Sequence, residues 1–419
     1  MDMDDDINDV DELYDVDDID ASIARLSELS TIRQRCKQLY QWIAAGESDY
    51  FSLVPNHLPT VVDYVLAVID ANHPDLNIPN YSRWRHFSAG GRDRWAELET
   101  TLTVSEEEQA RIRTELTVIS VLLDAGAGKH WRYRDSDGQD YARSEGLAVA
   151  SLQMYRDGLF SARSDQPLRV DAAALAALNS ERLAAALHVS PDNPLLGLPG
   201  RLNLLKQLGA VITRNPGYLG GQVRLGGLFD SLKAQVEDDA RLPAPDLFAL
   251  LLDFLAPIWP GRKILGGFNL GDVWLHPALD DDGLIPFHQL VQWLTYSLVD
   301  PLEAAGFTIT QLDDLTGLPE SRHGGLFVDL GVVQPMHTEV MQYSHAVDSD
   351  LVIEWRALTV CLLDQVAEQI RQRLGLDAHQ LPLARILQGG TWAAGRKIAA
   401  ERRSDGSPPI SIISDGTVF

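Results

Sequence analysis

The chain has 419 residues, of which 45% are hydrophobic and 23% charged, a balance typical of a globular protein with a large core. Its 35 basic and 60 acidic residues give a formal net charge of -25 at pH 7. Because nucleic-acid affinity comes largely from Lys and Arg that neutralise phosphates, this charge argues against a nucleic-acid partner. No apolar run reaches the roughly 18 residues that span a bilayer, and the N-terminus is acidic where a secretory signal would be basic. We therefore expect a cytoplasmic protein without nucleic-acid or membrane partners.

The first 21 residues are an almost continuous acidic run, which is typical of segments that stay solvated. We predict a disordered acidic tail over residues 1–21 and one compact helical catalytic domain over residues 22–419, with two lobes as the alternative. Cys36 and Cys361 lie far apart inside apolar helical patterns. We expect them to be buried thiols, not a disulfide or a zinc site.

Apolar residues at three- and four-residue intervals predict mostly helices. The predicted helices span residues 22–44, 58–71, 105–125, 172–178, 180–187, 202–208, 244–256, 286–305 and 351–374. Ser105, followed by three glutamates, is expected to cap the third of these helices. The predicted strands are short and cover residues 307–309, 326–330 with 332–333, and 410–413. The sequence thus predicts a mainly α fold with a small β element.

Residues 261–298 carry the most informative pattern. Lys263, Asp272, His276 and Asp282 stand there among glycines, prolines and large apolar residues. Burying an unpaired charge is costly, so these groups indicate either a structural ion network or a site of chemistry, and chemistry is the sharper hypothesis. Asp282 lies four residues before Pro286, where the helix over 286–305 is predicted to begin. Its carboxylate would stay ionised at that helix N-terminus and stabilise a cation or activate a water.

Two further segments have open interpretations. Residues 82–91, SRWRHFSAGG, supply Arg83, Arg85 and His86 to a glycine-containing loop that either grips an anion or pairs with acidic helix surfaces. Residues 122–146 contain DAGAGK, which lacks the spacing of a phosphate loop, so we expect no ATP site. The aromatic residues and Glu145 of this segment line a pocket or belong to the core.

Sequence signatures of common catalytic centres are absent. The 11 histidines include no HExxH pair or cysteine partners, and no GxSxG is present. We expect no metal and no cofactor, which leaves carboxylates and lysine for the chemistry.

Long segments nevertheless match a known family. They are SRWRHFSAGGRDR, VISVLLDAGAG, RSEGLAVAS, NPLLGLPGR, GGLFDSL, GRKILGGFNLGDVWLHP, GLIPFHQLVQWLTYSL, LTGLPE, VIEWRALTV, LQGGTWAAGRKIA and SDGTVF. In these segments the chain closely resembles the uncharacterised-domain proteins attached to the URC pathway of uracil catabolism. The resemblance covers nearly everything from about Ser22 onward.

A remoter similarity runs to the queuosine salvage proteins, which are N-glycosidases with a helical fold related to DNA glycosylases. That family has a lysine, an Asp-x-Trp, an aspartate four residues before a proline, and a Glu-x-Arg in a later helix. The matching residues here are Lys263, Asp272 with Trp274, Asp282 with Pro286, and Glu354 with Arg356. The residues between Asp282 and Pro286 differ from the family's, and the lysine is offset by one position. The resemblance therefore implies shared chemistry with a different substrate.

Together the resemblances imply hydrolysis of the N-glycosidic bond of ribosylurea or its 5'-phosphate, with release of urea. Asp282 is expected to stabilise the oxocarbenium-like transition state, while Asp272, Lys263 or His276 protonates the leaving group. The expected substrate contacts are Trp274, His276, Arg83, Arg85, His86, Glu145, Asn269 and Arg356. Arg83, Arg85 or Arg356 would bind a phosphate, unless Arg356 pairs with Glu354 inside the fold.

Two alternatives remain open at this point. The protein is either an N-glycosidase of another nucleoside or nucleotide, or a non-catalytic ligand-binding or scaffold partner of the uracil-catabolism enzymes. The partners expected from the main hypothesis are a small N-ribosyl compound and the other enzymes of the pathway.

Overall fold

A computed structural model describes residues 9–11, 18–237, 239–259, 262–414 and 416. In these residues helices dominate, and the short strands form two-stranded pairs. The predicted mainly α fold with small β elements is confirmed. Among the described residues no helix is both long and apolar enough to cross a membrane.

Eighteen α-helices follow one another along the described chain. They are α1 (Ile19–Leu26), α2 (Leu29–Ala44), α3 (Leu58–Asn72), α4 (Trp84–Phe87), α5 (Arg94–Glu99), α6 (Glu106–Leu122), α7 (Arg143–Arg156), α8 (Ala172–Ala177), α9 (Ser180–Ala186), α10 (Leu198–Arg214), α11 (Gly227–Gln235), α12 (Ala244–Leu255), α13 (Gln289–Ala304), α14 (Ser321–Asp329), α15 (Glu339–Gln342), α16 (Asp350–Leu374), α17 (Leu383–Ile386) and α18 (Trp392–Arg402).

The strands are two or three residues long. They are β1 (Phe51–Leu53), β2 (Arg132–Arg134), β3 (Asp140–Ala142), β4 (Arg241–Pro243), β5 (Ile264–Leu265), β6 (Phe268–Asn269), β7 (Val273–Leu275), β8 (Leu284–Pro286), β9 (Thr308–Thr310), β10 (Val333–Pro335), β11 (Ser344–His345) and β12 (Ser411–Ile412). The antiparallel pairs are β1 with β10, β2 with β3, β5 with β6 and β7 with β8, and the parallel pairs are β4 with β9 and β11 with β12.

Each predicted helix overlaps an observed one, but the periodicity missed several helices, among them α7, α11 and α18. Three predicted elements also differ from the structure. The helix predicted over 22–44 is two helices, because the chain turns at Ser27 and Glu28. Residues 326–329, predicted as a strand, belong to α14, and a short apolar run does not distinguish the two structures. The helix predicted from Pro286 begins at Gln289, because residues 284–286 form β8. Ser105 does cap α6, since its hydroxyl accepts a hydrogen bond from the Glu108 amide.

The chain divides into two compact units. Unit 1 contains the described residues of 1–81, 260–292 and 311–413, and unit 2 those of 82–259, 293–310 and 414–419. In unit 1 the 25-residue helix α16 packs against α2 and α14, and 15 of its residues are buried. In unit 2 the largely buried helices α6 and α7 pack together, and α10 packs against α8.

The two cysteines are free, as expected. Cys36 is buried and Cys361 partly buried. Burial raises the pKa of both thiols, so the neutral form dominates at physiological pH.

The beginning of the chain contributes to the core of unit 1. Val10 is 3% exposed and packs in an apolar cluster with Leu26, Leu265, Val273 and Leu284. Its amide donates to the Ile264 carbonyl at 2.9 Å. The tail predicted over residues 1–21 therefore does not hold for residues 9–11 and 18–21, while the rest of that stretch lies outside the described residues.

This packing predicts a stability effect at Val10. We expect Val10→Ala to lower the free energy of unfolding by about 1–3 kcal/mol, because it removes buried methyl groups from a packed cluster. Val104, which is 46% exposed, supplies the control, and Val104→Ala should change stability by less than about 0.5 kcal/mol. Equal, near-zero effects in chemical denaturation would contradict the burial of Val10.

Candidate functional site

A buried ion pair between Asp272 and Arg356 forms the centre of the candidate site in unit 1. Arg356 Nη1 donates to Asp272 Oδ1 at 2.8 Å, and Nη2 donates to Oδ2 at 2.7 Å. The Arg356 side chain is 0% exposed, whereas that of Asp272 is 13% exposed. Such a two-pronged contact fixes both side chains in one geometry. The carboxylate is thus the member of the pair that solvent or a ligand reaches.

Two further donors complete the surroundings of the Asp272 carboxylate. The indole Nε1 of Trp274 donates to Oδ1 at 2.6 Å, and the Gln289 amide at the start of α13 donates to Oδ2 at 2.9 Å. A carboxylate offers about four lone-pair sites, and these donors fill them. The side chain is therefore held rigidly, and its charge lies at a helix N-terminus.

These contacts keep Asp272 ionised. Burial by itself would raise the pKa of the carboxyl group. The charge and hydrogen bonds of Arg356, with the bonds from Gln289 and Trp274, more than offset that effect and hold the Asp272 pKa well below its usual range. Asp272 is consequently a fixed anion at neutral pH, and it does not suit the role of proton donor considered for it from the sequence.

Aromatic rings flank the ion pair. The Arg356 guanidinium lies over the Phe287 ring, with its carbon 4.0 Å from the ring centroid. The Arg262 guanidinium lies over the Trp274 ring at 5.2 Å. These rings shield the charges from water and add cation–π attraction, which strengthens the local electrostatic field.

His276 and Glu354 form a second buried contact. Glu354 Oε1 lies 3.4 Å from His276 Nε2, and both side chains are at most 2% exposed. The Ser48 hydroxyl donates to Glu354 Oε2. The Ala278 amide donates to His276 Nδ1 at 3.2 Å, which places the ring proton on Nε2, facing Glu354. Both ring nitrogens thus face protein groups, so this geometry favours a positioning role for His276 over the predicted substrate contact.

The Asp272–Arg356 and His276–Glu354 contacts both follow from the alternation of side chains along β7. Residues 272, 274 and 276 lie on the same face of β7 because side chains in a strand alternate. Helix α16 meets this face with Arg356 at Asp272 and Glu354 at His276. The possibility that Arg356 pairs with Glu354 is therefore wrong. Each of them pairs with a residue of the strand instead.

Asp282 lies in a different environment from the one predicted. It precedes β8, not a helix, so no helix N-terminus stabilises its charge. Its Oδ2 accepts from Arg25 Nη2 at 2.6 Å, and its Oδ1 accepts from Arg35 Nη2 and the Leu284 amide, both at 2.9 Å. The side chain is 3% exposed. This clamp ties the loop before β8 to α1 and α2.

Asp272 and Asp282 stand at opposite ends of the β7–β8 hairpin. Asp272 precedes β7, where Val273 pairs with Pro286, and Asp282 lies beyond the other end, where Leu275 pairs with Leu284. Strands of three residues separate the two ends by roughly 10 Å. The geometry therefore does not favour Asp282 and Asp272 acting on the same bond, one as stabiliser of the transition state and the other as proton donor.

Lys263 precedes β5, and Asn269 is the last residue of β6, where it pairs with Ile264. The Lys263 carbonyl accepts from the Leu270 amide at 2.9 Å, two residues before Asp272. The Asn269 side chain accepts from the Gly271 amide at 3.0 Å. Both side chains are half-buried. Both residues therefore have a hydrogen bond to the backbone of the two residues that directly precede Asp272.

Arg83 is the centre of a separate cluster in unit 2. It is 0% exposed, and its Nη1 lies 2.7 Å from Asp124 Oδ2. It also donates to the Ser120 hydroxyl at 2.8 Å and to the Ser144 hydroxyl at 2.8 Å, and it lies 3.1 Å from His86 Nδ1. Arg83 and His86, predicted to contact substrate, thus meet in a buried polar network inside unit 2.

The remaining predicted residues of unit 2 lie around this network or apart from it. Arg85 donates to Asp300 at 2.6 Å, as the structural interpretation of its loop expected. Glu145 lies half-buried in the first turn of α7. The Trp293 indole donates to Asp124 at 3.1 Å. A substrate role for Arg85 and Glu145 stays a prediction.

Residues that the sequence did not single out contribute to the sites, among them Arg25, Arg35, Ser48 and Gln289. The alternation D-V-W-L-H over residues 272–276 is typical of a strand, and it places residues 272, 274 and 276 on one face. Recognising this strand would have favoured a β-hairpin over a helix that begins at Pro286. Nothing in the sequence pairs Ser48 with Glu354 or Arg25 with Asp282. Among the described residues no group of three or more His, Cys, Asp or Glu side chains has a metal-binding arrangement.

Fold and site together define a mainly helical protein with a buried carboxylate–guanidinium centre presented by a short hairpin. The chain belongs to the family described as protein of unknown function (DUF1688), whose model matches residues 25–419. The predicted family is thereby confirmed.

Two curated relatives are similar over nearly the whole chain. Protein urg3 of Schizosaccharomyces pombe is 39% identical over 409 residues, which cover 95% of this chain and 99% of the relative. Uracil catabolism protein 4 of Lachancea kluyveri is 34% identical over 440 residues, which cover 96% of this chain and 100% of the relative. The similarity to queuosine salvage proteins stays a prediction.

The Asp272 pKa gives a pH-dependent prediction. Because this pKa is lower in the folded protein than the ordinary value of about 3.9, the ion pair stabilises the fold above about pH 4, and the stabilisation declines as the pH falls further. We expect the melting temperature of the wild type to fall more between about pH 5 and about pH 3 than that of Asp272→Asn. Asp165→Asn, at an exposed carboxylate, should follow the wild type. Parallel curves for all three proteins would contradict the assignment.

Proposed function

We propose that this protein is an N-glycosyl hydrolase that releases urea from an N-ribosyl urea during uracil catabolism. One observation carries the proposal: Asp272 is a rigid, ionised carboxylate, 13% exposed, in a setting from which water is otherwise largely excluded. The name of the relative from Lachancea kluyveri, uracil catabolism protein 4, supports uracil catabolism as the metabolic setting. In the reaction, water adds to the anomeric carbon, the carbon–nitrogen bond breaks, and the nitrogen of urea takes up a proton.

Asp272 suits this reaction through its charge. The transition state of N-glycoside hydrolysis resembles an oxocarbenium cation, which a preorganised anion stabilises without reorientation. The donors on Asp272 leave little capacity to bind and deprotonate a water. A developing cation needs little help from a base, because it is itself a strong electrophile. We therefore assign to Asp272 the stabilising role that the sequence alone suggested for Asp282, whose carboxylate Arg25 and Arg35 hold in the hairpin loop.

The proton for urea needs another donor. Asp272 is ionised, and the ring nitrogens of His276 face the Ala278 amide and Glu354. Of the three groups considered from the sequence, this leaves the half-buried Lys263. General acid catalysis of this kind typically contributes about 10²- to 10⁴-fold to the rate.

The first activity prediction separates the two aspartates. Asp272→Asn should lower kcat for urea release by at least about 100-fold, because the amide keeps the shape but loses the charge. Asp282→Asn should lower the melting temperature, since it weakens the clamp, and keep kcat within about tenfold in the folded protein. The measurement is urea and ribose release from ribosylurea and its 5'-phosphate by purified protein without added metal.

The outcomes distinguish the alternatives. A comparable loss of kcat in folded Asp282→Asn, with activity retained in Asp272→Asn, would return the central role to Asp282. No release from either substrate by the wild type would reject the hydrolase and favour a non-catalytic partner of the pathway's enzymes.

The second activity prediction concerns the phosphate. The three arginines considered as phosphate ligands each pair with an aspartate: Arg83 with Asp124, Arg85 with Asp300, and Arg356 with Asp272. A guanidinium that is already paired with a carboxylate attracts a phosphate less than an open one does. We expect a higher kcat/KM for ribosylurea than for its 5'-phosphate. A tenfold or greater preference for the phosphate would contradict this expectation.

A further inference from the structure

We propose that Glu354, supported by Ser48, is a positioning residue that fixes the place of Asp272 through His276 and strand β7. The kinetic part of this inference rests on the proposed function, whereas its structural part does not. Glu354 lies on α16, two residues before Arg356, and the described structure shows no contact between Glu354 and Asp272. Its effect on Asp272 is therefore transmitted by the strand.

One hydrogen bond and one close polar contact restrain the Glu354 carboxylate. The Ser48 hydroxyl donates to Oε2, while its own oxygen accepts from the Tyr50 and Phe51 amides, each at 3.0 Å. These amides hold the serine oxygen in place at the start of β1. The other carboxylate oxygen faces Nε2 of His276 at 3.4 Å. Glu354 thus links a fixed point of the backbone to the histidine.

His276 transmits this restraint to the hairpin. The Ala278 amide fixes the ring from its Nδ1 side, and the His276 and Trp42 rings pack in a T-shaped arrangement with centroids 5.7 Å apart. The backbone of His276 follows β7 directly, and its amide donates to the Gly283 carbonyl at 2.9 Å. The end of the hairpin that is remote from Asp272 is therefore held by Glu354.

The two ends of β7 are held by one helix. Arg356 holds Asp272 at the first end, and Glu354 holds His276 at the other. A strand restrained at both ends cannot slide or tilt along the helix. With only Arg356 in place, the long guanidinium side chain can follow a displaced Asp272, so the ion pair survives while the carboxylate moves. A shift of about 1 Å at a catalytic group can lower a rate by about 100-fold.

The chemical nature of the groups around Glu354 indicates that it positions the strand more than it stabilises the fold. A carboxylate that is 1% exposed and meets a serine hydroxyl and an imidazole pays a large desolvation penalty. Apolar side chains of the same size would often stabilise the fold equally well. The Ser48 hydrogen bond and the close contact with His276 instead fix where the end of β7 lies.

The test combines a structural and a kinetic measurement on Glu354→Gln. The glutamine keeps the size of the side chain, but its amide group places a donor opposite either Ser48 or His276. Fluorine NMR of protein labelled with fluorotryptophan reports on Trp274, which donates to Asp272 at 2.6 Å. Trp274→Phe assigns this signal among the nine tryptophans. We expect the Trp274 resonance to shift and kcat to fall about tenfold or more, with KM changed less than about threefold.

Glu115→Gln is the matched control. Glu115 is a 0% exposed carboxylate in unit 2, where it accepts from Arg224 and Tyr155. This variant likewise replaces a buried carboxyl group by an amide, and it should leave both the Trp274 resonance and kcat unchanged. A loss of melting temperature common to both variants then measures the structural cost alone.

The outcomes are separable. An unchanged Trp274 resonance in folded Glu354→Gln overturns the positioning role, whether or not the wild type releases urea. A shifted resonance with no urea release by the wild type supports the positioning role and rejects the proposed reaction. Should Glu354→Gln fail to fold, Ser48→Ala decides. It removes the support of Glu354, so it should shift the same resonance, and an unchanged signal overturns the inference.

Discussion

The bidentate ion pair between Asp272 and Arg356 is the interaction on which the rest of the candidate site depends. It joins the β7–β8 hairpin to helix α16 in unit 1, and it keeps the carboxylate ionised in spite of burial. An unpaired carboxylate there would take up a proton or solvent instead. The amide of Gln289 and the indole of Trp274 complete the pair, so the charge stays in one position and direction.

The same helix and strand meet at a second, reversed pair. At one end of the strand the acidic Asp272 pairs with the basic Arg356 of the helix. At the other end the order is reversed, because the basic His276 of the strand contacts the acidic Glu354 of the helix. A one-residue slip of the strand would turn both residues to the wrong face. This reversal therefore specifies a single register for the hairpin, and it connects the packing of the core of unit 1 to the geometry of the proposed chemistry.

Buried charges in both units have specific partners. In unit 1, Asp282 binds Arg25 and Arg35, and in unit 2, Arg83 binds Asp124 and Glu115 binds Arg224. Breaking such a pair leaves an uncompensated charge, so each of them resists opening. Buried pairing of this kind also explains why arginines in apolar surroundings are poor guides to a phosphate site: their forks are already directed at carboxylates.

The sequence by itself determined the helical class and the family, and it pointed to the stretch that contains the candidate site, because apolar periodicity, turn residues and long ordered motifs are local properties. The charged and aromatic residues among glycines and prolines also pointed to Asp272, Trp274 and His276, but the predicted elements include no strand there. Only the tertiary structure decided that Asp272, not Asp282, lies at the start of α13, that Arg356 pairs with Asp272 and not with Glu354, and that Ser48 and Arg25 contribute. These pairings depend on which side chains, distant in sequence, are buried next to one another. The free energy of a buried charge is set by the partners and the solvent around it in space, not by its neighbours along the chain.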